Sequence, residues 1–244
     1  MKFLHEQVSS KASMLALLLL QSVPQVSGHY GFPILSVNGK WSEWWEFVRP
    51  VGLDGYGSQF FPSYDWTGSN QVCGINATKT GHLTGTVKVE AGSTLGFVAI
   101  AATYSQGVID PHPYRWGPDG IGHAGPGQVY MSLAPGALED YEGDGDWFKI
   151  ATSGASDGQH WDSDGQPWKP SLNATIPKTT PPGKYLVRVE HFNISPSYNG
   201  TQQFMSCAHV EVTGSGGGTP GPTIKFPGSY NIEDPRPGPA VWTG

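Results

Sequence analysis

Cysteine is almost absent from this sequence: Cys73 and Cys207 are the only two in 244 residues. Four-cysteine metal knuckles and disulfide-dense miniature folds are both excluded. Charge is scarce as well, at 14% of the chain, and acidic residues outnumber basic ones by 20 to 14. Nucleic acid calls for a basic patch, so it is set aside as a partner. After residue 28 no apolar run approaches the roughly 18 residues of a membrane span. No helical period of any length is found. No pair of carboxylates is placed for acid–base work, which disfavours a hydrolase.

What is abundant is glycine (34), proline (21), tryptophan (9) and tyrosine (10). That composition suits short strands joined by long ordered loops. Residues 1–28 read as a secretory signal peptide. Lys2 and Lys11 lie in its n-region, Met14-Leu15-Ala16-Leu17-Leu18-Leu19-Leu20 forms the apolar stretch, and Val26-Ser27-Gly28 offers small residues before a cut. Cleavage there makes His29 the first residue of a secreted, extracellular domain spanning 29–244. A terminal histidine carries an α-amine and an imidazole on one residue, and both can close a chelate ring on a metal. The α-amine has a pKa of about 7.7–8, so a metal can displace its proton near neutral pH. Nitrogen donors in a tetragonal arrangement suit Cu(II). The plain alternative is that some residue must follow a cut, and a histidine stands there by chance.

In an oxidising compartment the two cysteines most simply form one disulfide, worth about 4–5 kcal/mol by loop-closure entropy. Two buried free thiols are the disfavoured alternative. Asn76, Asn173, Asn193 and Asn199 each head a glycosylation sequon. Expected strands are 34–37 with a turn at 38–39, 86–90, 95–101, a strand after the turn at 122–127, another after 143–146, 185–192 and 207–212. Within the last, Ala208, Val210 and Val212 share one face, and His209 and Glu211 the other. Residues 104–122 and 153–172 read as loops, 214–218 as a flexible segment, and the tail to Gly244 as a Gly/Pro-rich extension. The aromatics Tyr56, Phe60, Phe61, Tyr64 and Trp66 fall in a loop-like stretch. They either present a stacking platform to sugar or pack beneath the loop. Short strands punctuated by turns indicate an all-β sandwich.

Several collinear stretches together resemble one family. They are His29-Tyr30, Asn70-Gln71-Val72-Cys73, Gly122-His123-Ala124-Gly125-Pro126, Gly143 to Ile150, Gly183 to Glu190, Gly200 to Cys207 and Ile224 to Tyr230. The family is the fungal lytic polysaccharide monooxygenases of auxiliary-activity family 9, once called glycoside hydrolase family 61. The resemblance implies an immunoglobulin-like or fibronectin-like β-sandwich with long loops and a Cys73–Cys207 disulfide. It implies one copper per chain, held in a histidine brace by His29 (amine and imidazole) and His123. It implies Gln202 as the amide beside the metal and Phe204 at the axial position. A polysaccharide substrate, an external electron donor, O₂ or H₂O₂ and a monomeric, secreted enzyme are further implications.

Three departures from the family pattern stand out. Phe204 occupies a position where the family usually has tyrosine, so it offers no phenol oxygen. The histidine usually found several residues before the glutamine is missing: counting from Arg188 reaches Ser195, counting back from Gln202 reaches Asn193, and His191 is the nearby candidate. The tail runs from Asp234-Pro235 straight to Arg236-Pro237-Gly238-Pro239, without the stretch that often bears a surface aromatic. The expected function is oxidative cleavage of a β-linked glucan, cellulose or hemicellulose. The alternatives are a copper-binding redox protein on the same scaffold without lytic activity, and a carbohydrate-binding wall protein.

Overall fold

The computed structural model describes residues 29–52, 58–101, 103–105, 108–110, 120–163, 169–230 and 243. The signal-peptide reading, Tyr56, residues 111–119, Trp168 and the 234–239 tail lie outside the described residues.

Two sheets face each other. The first has strand order β2-β1-β4-β9, with β1 Tyr30–Val37, β2 Lys40–Trp41, β4 Thr94–Ala101 and β9 Ser171–Thr175. The second has order β12-β8-β7-β10-β11-β3, with β3 Val87–Glu90, β7 Gly127–Leu133, β8 Trp147–Ser153, β10 Gly183–Asn193, β11 Gln202–Thr213 and β12 Thr223–Ile224. Alternation along each strand sends one set of side chains between the sheets. Leu95, Phe97 and Ala99 of β4 meet Val129, Met131, Val187, Val189, Ala208, Val210 and Val212 of the second sheet. Burying each Val, Leu or Phe contributes about 1.5–3 kcal/mol, so this layer is the main favourable term. The other face of β4 is also covered: Val98 and Ile100 pack with Ile34 and Phe60. Burial on both faces is why 95–101 is a continuous apolar run.

In β1 the side-chain parity changes. Tyr30 and Phe32 point into the core, and so does Leu35. A register irregularity between Gly31 and Ile34, at Pro33, supplies the odd step.

The outer face of the second sheet is covered by a loop and the tail. A short helix, α1 (Asn70–Cys73), lies over it, fastened by the Cys73–Cys207 disulfide. Arg188 is buried beneath α1 and donates to Val72 O at 2.8 Å and Gln71 O at 2.9 Å. It pairs with Glu190, which is buried too and also accepts from Gln128 and Tyr230. The Phe226 ring lies 4.0 Å from the Arg188 guanidinium, a cation–π contact that caps the pair.

Four stretches differ from the sequence expectation. Residues 104–122 were expected as a loop, but the hairpin β5 (Thr103–Ser105) and β6 (Val108–Asp110) occupies part of them. The loop expected over 153–172 ends early, because β9 begins at Ser171 and pairs with β4. Residues 214–218 are tied down: Gly218 N donates to Thr179 O at 2.9 Å, and a Cβ on Gly216 would meet Thr180 O at 2.1 Å. The start of the Gly/Pro-rich extension is likewise built in, since β12 pairs with β8 and Phe226 and Tyr230 pack on the sheet.

Two outcomes test this arrangement. Replacing both Cys73 and Cys207 by alanine is expected to cost about 4–5 kcal/mol, read by urea denaturation, because the bridge links residues 134 apart. The second concerns His209. Burial, and then the charge of Arg49, whose Nε donates to its ring at 2.8 Å, push its pKa down to about 3 from 6.5. Between those values the unfolded chain binds a proton that the folded chain refuses. This contribution to stability is therefore complete above about pH 6.5 and lost as pH falls toward 3. Denaturation midpoints across that window are expected to drop, and His209→Gln to flatten the drop.

Candidate metal centre

The site lies at one end of the sandwich. Strand pairing brings together the start of β1 (Tyr30 opposite Ala101), the start of β7 (Gly127 opposite His191) and the junction of β10 with β11 (Asn193 opposite Gln202). His29 precedes β1, and His123 sits in the loop that leads into β7.

Tyr30 organises this end. Its ring stacks on Phe204 with centroids 4.2 Å apart and planes 19° apart. It also lies 5.9 Å from the His123 ring, which stacks in turn on Phe204 at 5.6 Å. His29, the residue next to Tyr30, packs against Phe61 at 5.2 Å. His29 thus rests on Phe61, and His123 on Tyr30 and Phe204. Burial holds the His29 pKa below the usual value, which keeps its ring neutral and able to donate a lone pair.

His191, the candidate for the missing histidine, has another role. Its Nδ1 shares a 2.5 Å hydrogen bond with the Tyr30 hydroxyl, and its Nε2 lies 3.1 Å from both Gly125 O and Ser163 Oγ. Both ring nitrogens are therefore engaged, and burial pushes its pKa down to about 3. Ser163 completes the clamp, donating to Gly125 O at 2.8 Å and accepting from Gly125 N at 3.0 Å. Gly125 has φ +157°, and a Cβ there would stand 1.8 Å from Phe192 O. Only glycine lets the 122–126 loop pass this close to β10, and that passage sets where His123 emerges.

Phe204 is 2% exposed and fills the wall between Tyr30 and His123 with hydrocarbon. Gln202 lies two residues before it on the same face, half-buried, with its amide bonded to Asn193 and Tyr64. The described rings of the aromatic loop divide into packed and exposed ones. Phe60 is buried, and Trp66 stacks on Tyr198 at 4.4 Å. Phe61 (37% exposed) and Tyr64 (52%) face outward on the site side. The roles of Tyr64 and Asn193 were not visible in the sequence, because no motif marks the bridge from Ser63 to Gln203 that brings the loop alongside β11.

With residues 1–28 removed, the α-amine and imidazole of His29 and the imidazole of His123 would make a three-nitrogen set of the kind that suits Cu(II), so these residue types fit a copper ion. The described sequons are also placed. Asn76, Asn173 and Asn199 are exposed, and Asn193 is half-buried.

The family description Auxiliary Activity family 9 (formerly GH61) fits residues 29–242. The chain belongs to that family. It is 38% identical to AA9 family lytic polysaccharide monooxygenase U of Thermothielavioides terrestris, covering 96% of this chain and 100% of the relative. It is 36% identical to AA9 family lytic polysaccharide monooxygenase A of Aspergillus fumigatus, covering 96% and 82%. Among solved structures it is similar to HiLPMO9B, with a TM-score of 0.66 at 26% identity, covering 88% of this chain and all of that one. As an AA9 member it has the β-sandwich and the disulfide that the resemblance implied.

The Tyr30 clamp gives this site its test. Tyr30→Phe leaves the buried His191 Nδ1 without its partner and is expected to cost about 1–3 kcal/mol, measured by urea denaturation.

Proposed function

We propose that this AA9 chain is a secreted, copper-dependent polysaccharide monooxygenase that cleaves a β-linked glucan, cellulose or hemicellulose, by oxidation. The observation that carries the reading is the packing of His123 on the Tyr30–Phe204 pair, with His29 next to Tyr30 in the chain and Gln202 on the strand face of Phe204. The family match supports it further, because it opens on His29.

In this reading the α-amine and imidazole of His29 and the imidazole of His123 hold one copper. When bound, copper would supply the redox chemistry for oxidation of a glycosidic carbon, with O₂ or H₂O₂ and an external electron donor as co-reactants. Every other task falls to the chain. Removal of residues 1–28 frees the His29 amine. The His191–Gly125–Ser163 clamp fixes the loop that carries His123. Phe204 excludes water and phenol oxygen from one side. The amide of Gln202 offers a hydrogen bond beside the metal, and Phe61 and Tyr64 give the sugar an aromatic surface to rest on.

Two observations favour a second reading. Phe204 replaces the phenol, and His191 is fully committed to Tyr30 and Gly125. Both changes suit a copper-binding redox protein on this scaffold that does not cut polysaccharide.

The test is copper binding by the protein beginning at His29, read by EPR and calorimetry. One-to-one binding is expected. His123→Ala is expected to weaken it by more than about 100-fold, beyond the 10–100-fold that outer partners typically cost. Mass spectrometry of oligosaccharides released in the presence of a reductant then separates the lytic from the non-lytic reading.

A further inference from the structure

The hydrogen bonds around Gln202 form a chain. Asn193 Nδ2 donates to Gln202 Oε1 at 2.8 Å, and Gln202 Nε2 donates to the Tyr64 hydroxyl at 3.1 Å. Strand register accounts for all three positions. Asn193 lies directly opposite Gln202 in the β10–β11 ladder. Ser63 and Gln203 exchange backbone hydrogen bonds of 2.8 and 3.0 Å, which sets Tyr64 beside Gln202. Gln202 in turn shares its face of β11 with Phe204.

A carboxamide that is free to turn presents either its oxygen or its nitrogen. Here the Asn193 donor claims the oxygen of Gln202, so the nitrogen points the other way. One of its two hydrogens goes to Tyr64. The other has no partner among the described residues. Tyr64 accepts in this pair, so its own O–H is left over too, on a ring that is 52% exposed. The chain is polarised from β10 outward, and it ends in two donor hydrogens on the site side.

We propose that Asn193 and Tyr64 are positioning residues that lock the Gln202 amide with its N–H₂ group outward, and that Asn193 consequently carries no glycan. The proposal rests on the monooxygenase reading for its catalytic consequence. Asn193 heads a sequon, yet the nitrogen a glycan would take is the one bonded to Gln202. The side chain is half-buried at a strand end, whereas Asn76, Asn173 and Asn199 are exposed. A glycan on Asn193 would also set a bulky branched sugar against Gln202 and the polysaccharide-facing surface.

Three measurements on the secreted protein test this. Glycopeptide mass spectrometry is expected to find Asn193 unmodified; a glycan on most copies overturns the proposal. Side-chain amide NMR is expected to show slow exchange at Gln202 Nε2, lost in Asn193→Ala and Tyr64→Phe; fast exchange in the unmutated protein overturns it. This readout needs no copper.

The third measurement is kinetic. Asn193→Ala and Tyr64→Phe are each expected to lower kcat about tenfold with copper affinity and Tm little changed, and to add no loss once Gln202 is alanine. Ser195→Ala, which removes the sequon and an exposed hydrogen bond from Ser197 N but leaves the Asn193–Gln202–Tyr64 chain in place, is expected to leave kcat intact. Unchanged kcat in both variants, or equal losses with and without Gln202, overturns the proposal. If the unmutated protein binds no copper, the functional reading fails instead, and the mass-spectrometric and NMR results still decide the positioning claim.

Discussion

The stacking of Tyr30 on Phe204 is the contact on which this end of the molecule depends. Tyr30 belongs to the first sheet and Phe204 to the second, so one ring pair joins the layers where both histidines emerge. Such a pair contributes about 0.5–1.5 kcal/mol beyond its burial, and its larger effect is geometric. The Tyr30 hydroxyl fixes His191, His191 and Ser163 fix Gly125, and the Gly125 loop delivers His123. His29 needs no separate support, because it is the residue before Tyr30. One ring therefore positions one histidine through the chain and the other through hydrogen bonds.

Phe204 acquires a clear role from this contact. Its hydrocarbon face is what Tyr30 and His123 both rest on. A tyrosine at 204 would add a hydroxyl to a position that is 2% exposed, and that hydroxyl would need a partner. The phenol nearest to Gln202 is instead Tyr64, on a loop, exposed and hydrogen-bonded to the amide. A phenol is thus present on the site side, brought there by different backbone and facing solvent.

Much of the fold was legible because the strands obey simple alternation. The stretch 207–212 showed its inward and outward faces directly, and the continuous run at 95–101 announced burial on both sides. What escaped has physical causes. In β9 only Leu172 and Ala174 point inward between polar neighbours, too little apolar pattern to stand out from loop. The glycines at 214–218 looked free to move, yet Gly216 is required by its close approach to Thr180. Composition cannot tell a flexible glycine from one that a tight contact demands. At the site, His29 was reached from the expected cut after Gly28, and His123, Gln202 and Phe204 through the family resemblance. Asn193 and Tyr64 were not, since cross-strand register and one isolated bridge bring them in.

The buried pair Arg188–Glu190 shows how far the same logic extends through β10. Alternation sends Val187, Val189 and His191 inward, and Leu186, Arg188 and Glu190 outward. Two charges out of water are costly, and removing either partner of such a pair typically costs about 3–5 kcal/mol. Here α1 supplies carbonyls to Arg188, Phe226 covers it, and Tyr230 bonds Glu190. The disulfide and the tail are thus the lid on a charged pair, while the inward face of the same strand places His191 and Asn193. One strand ties the covering of the outer face, including Phe226 and Tyr230, to the geometry of the candidate metal centre.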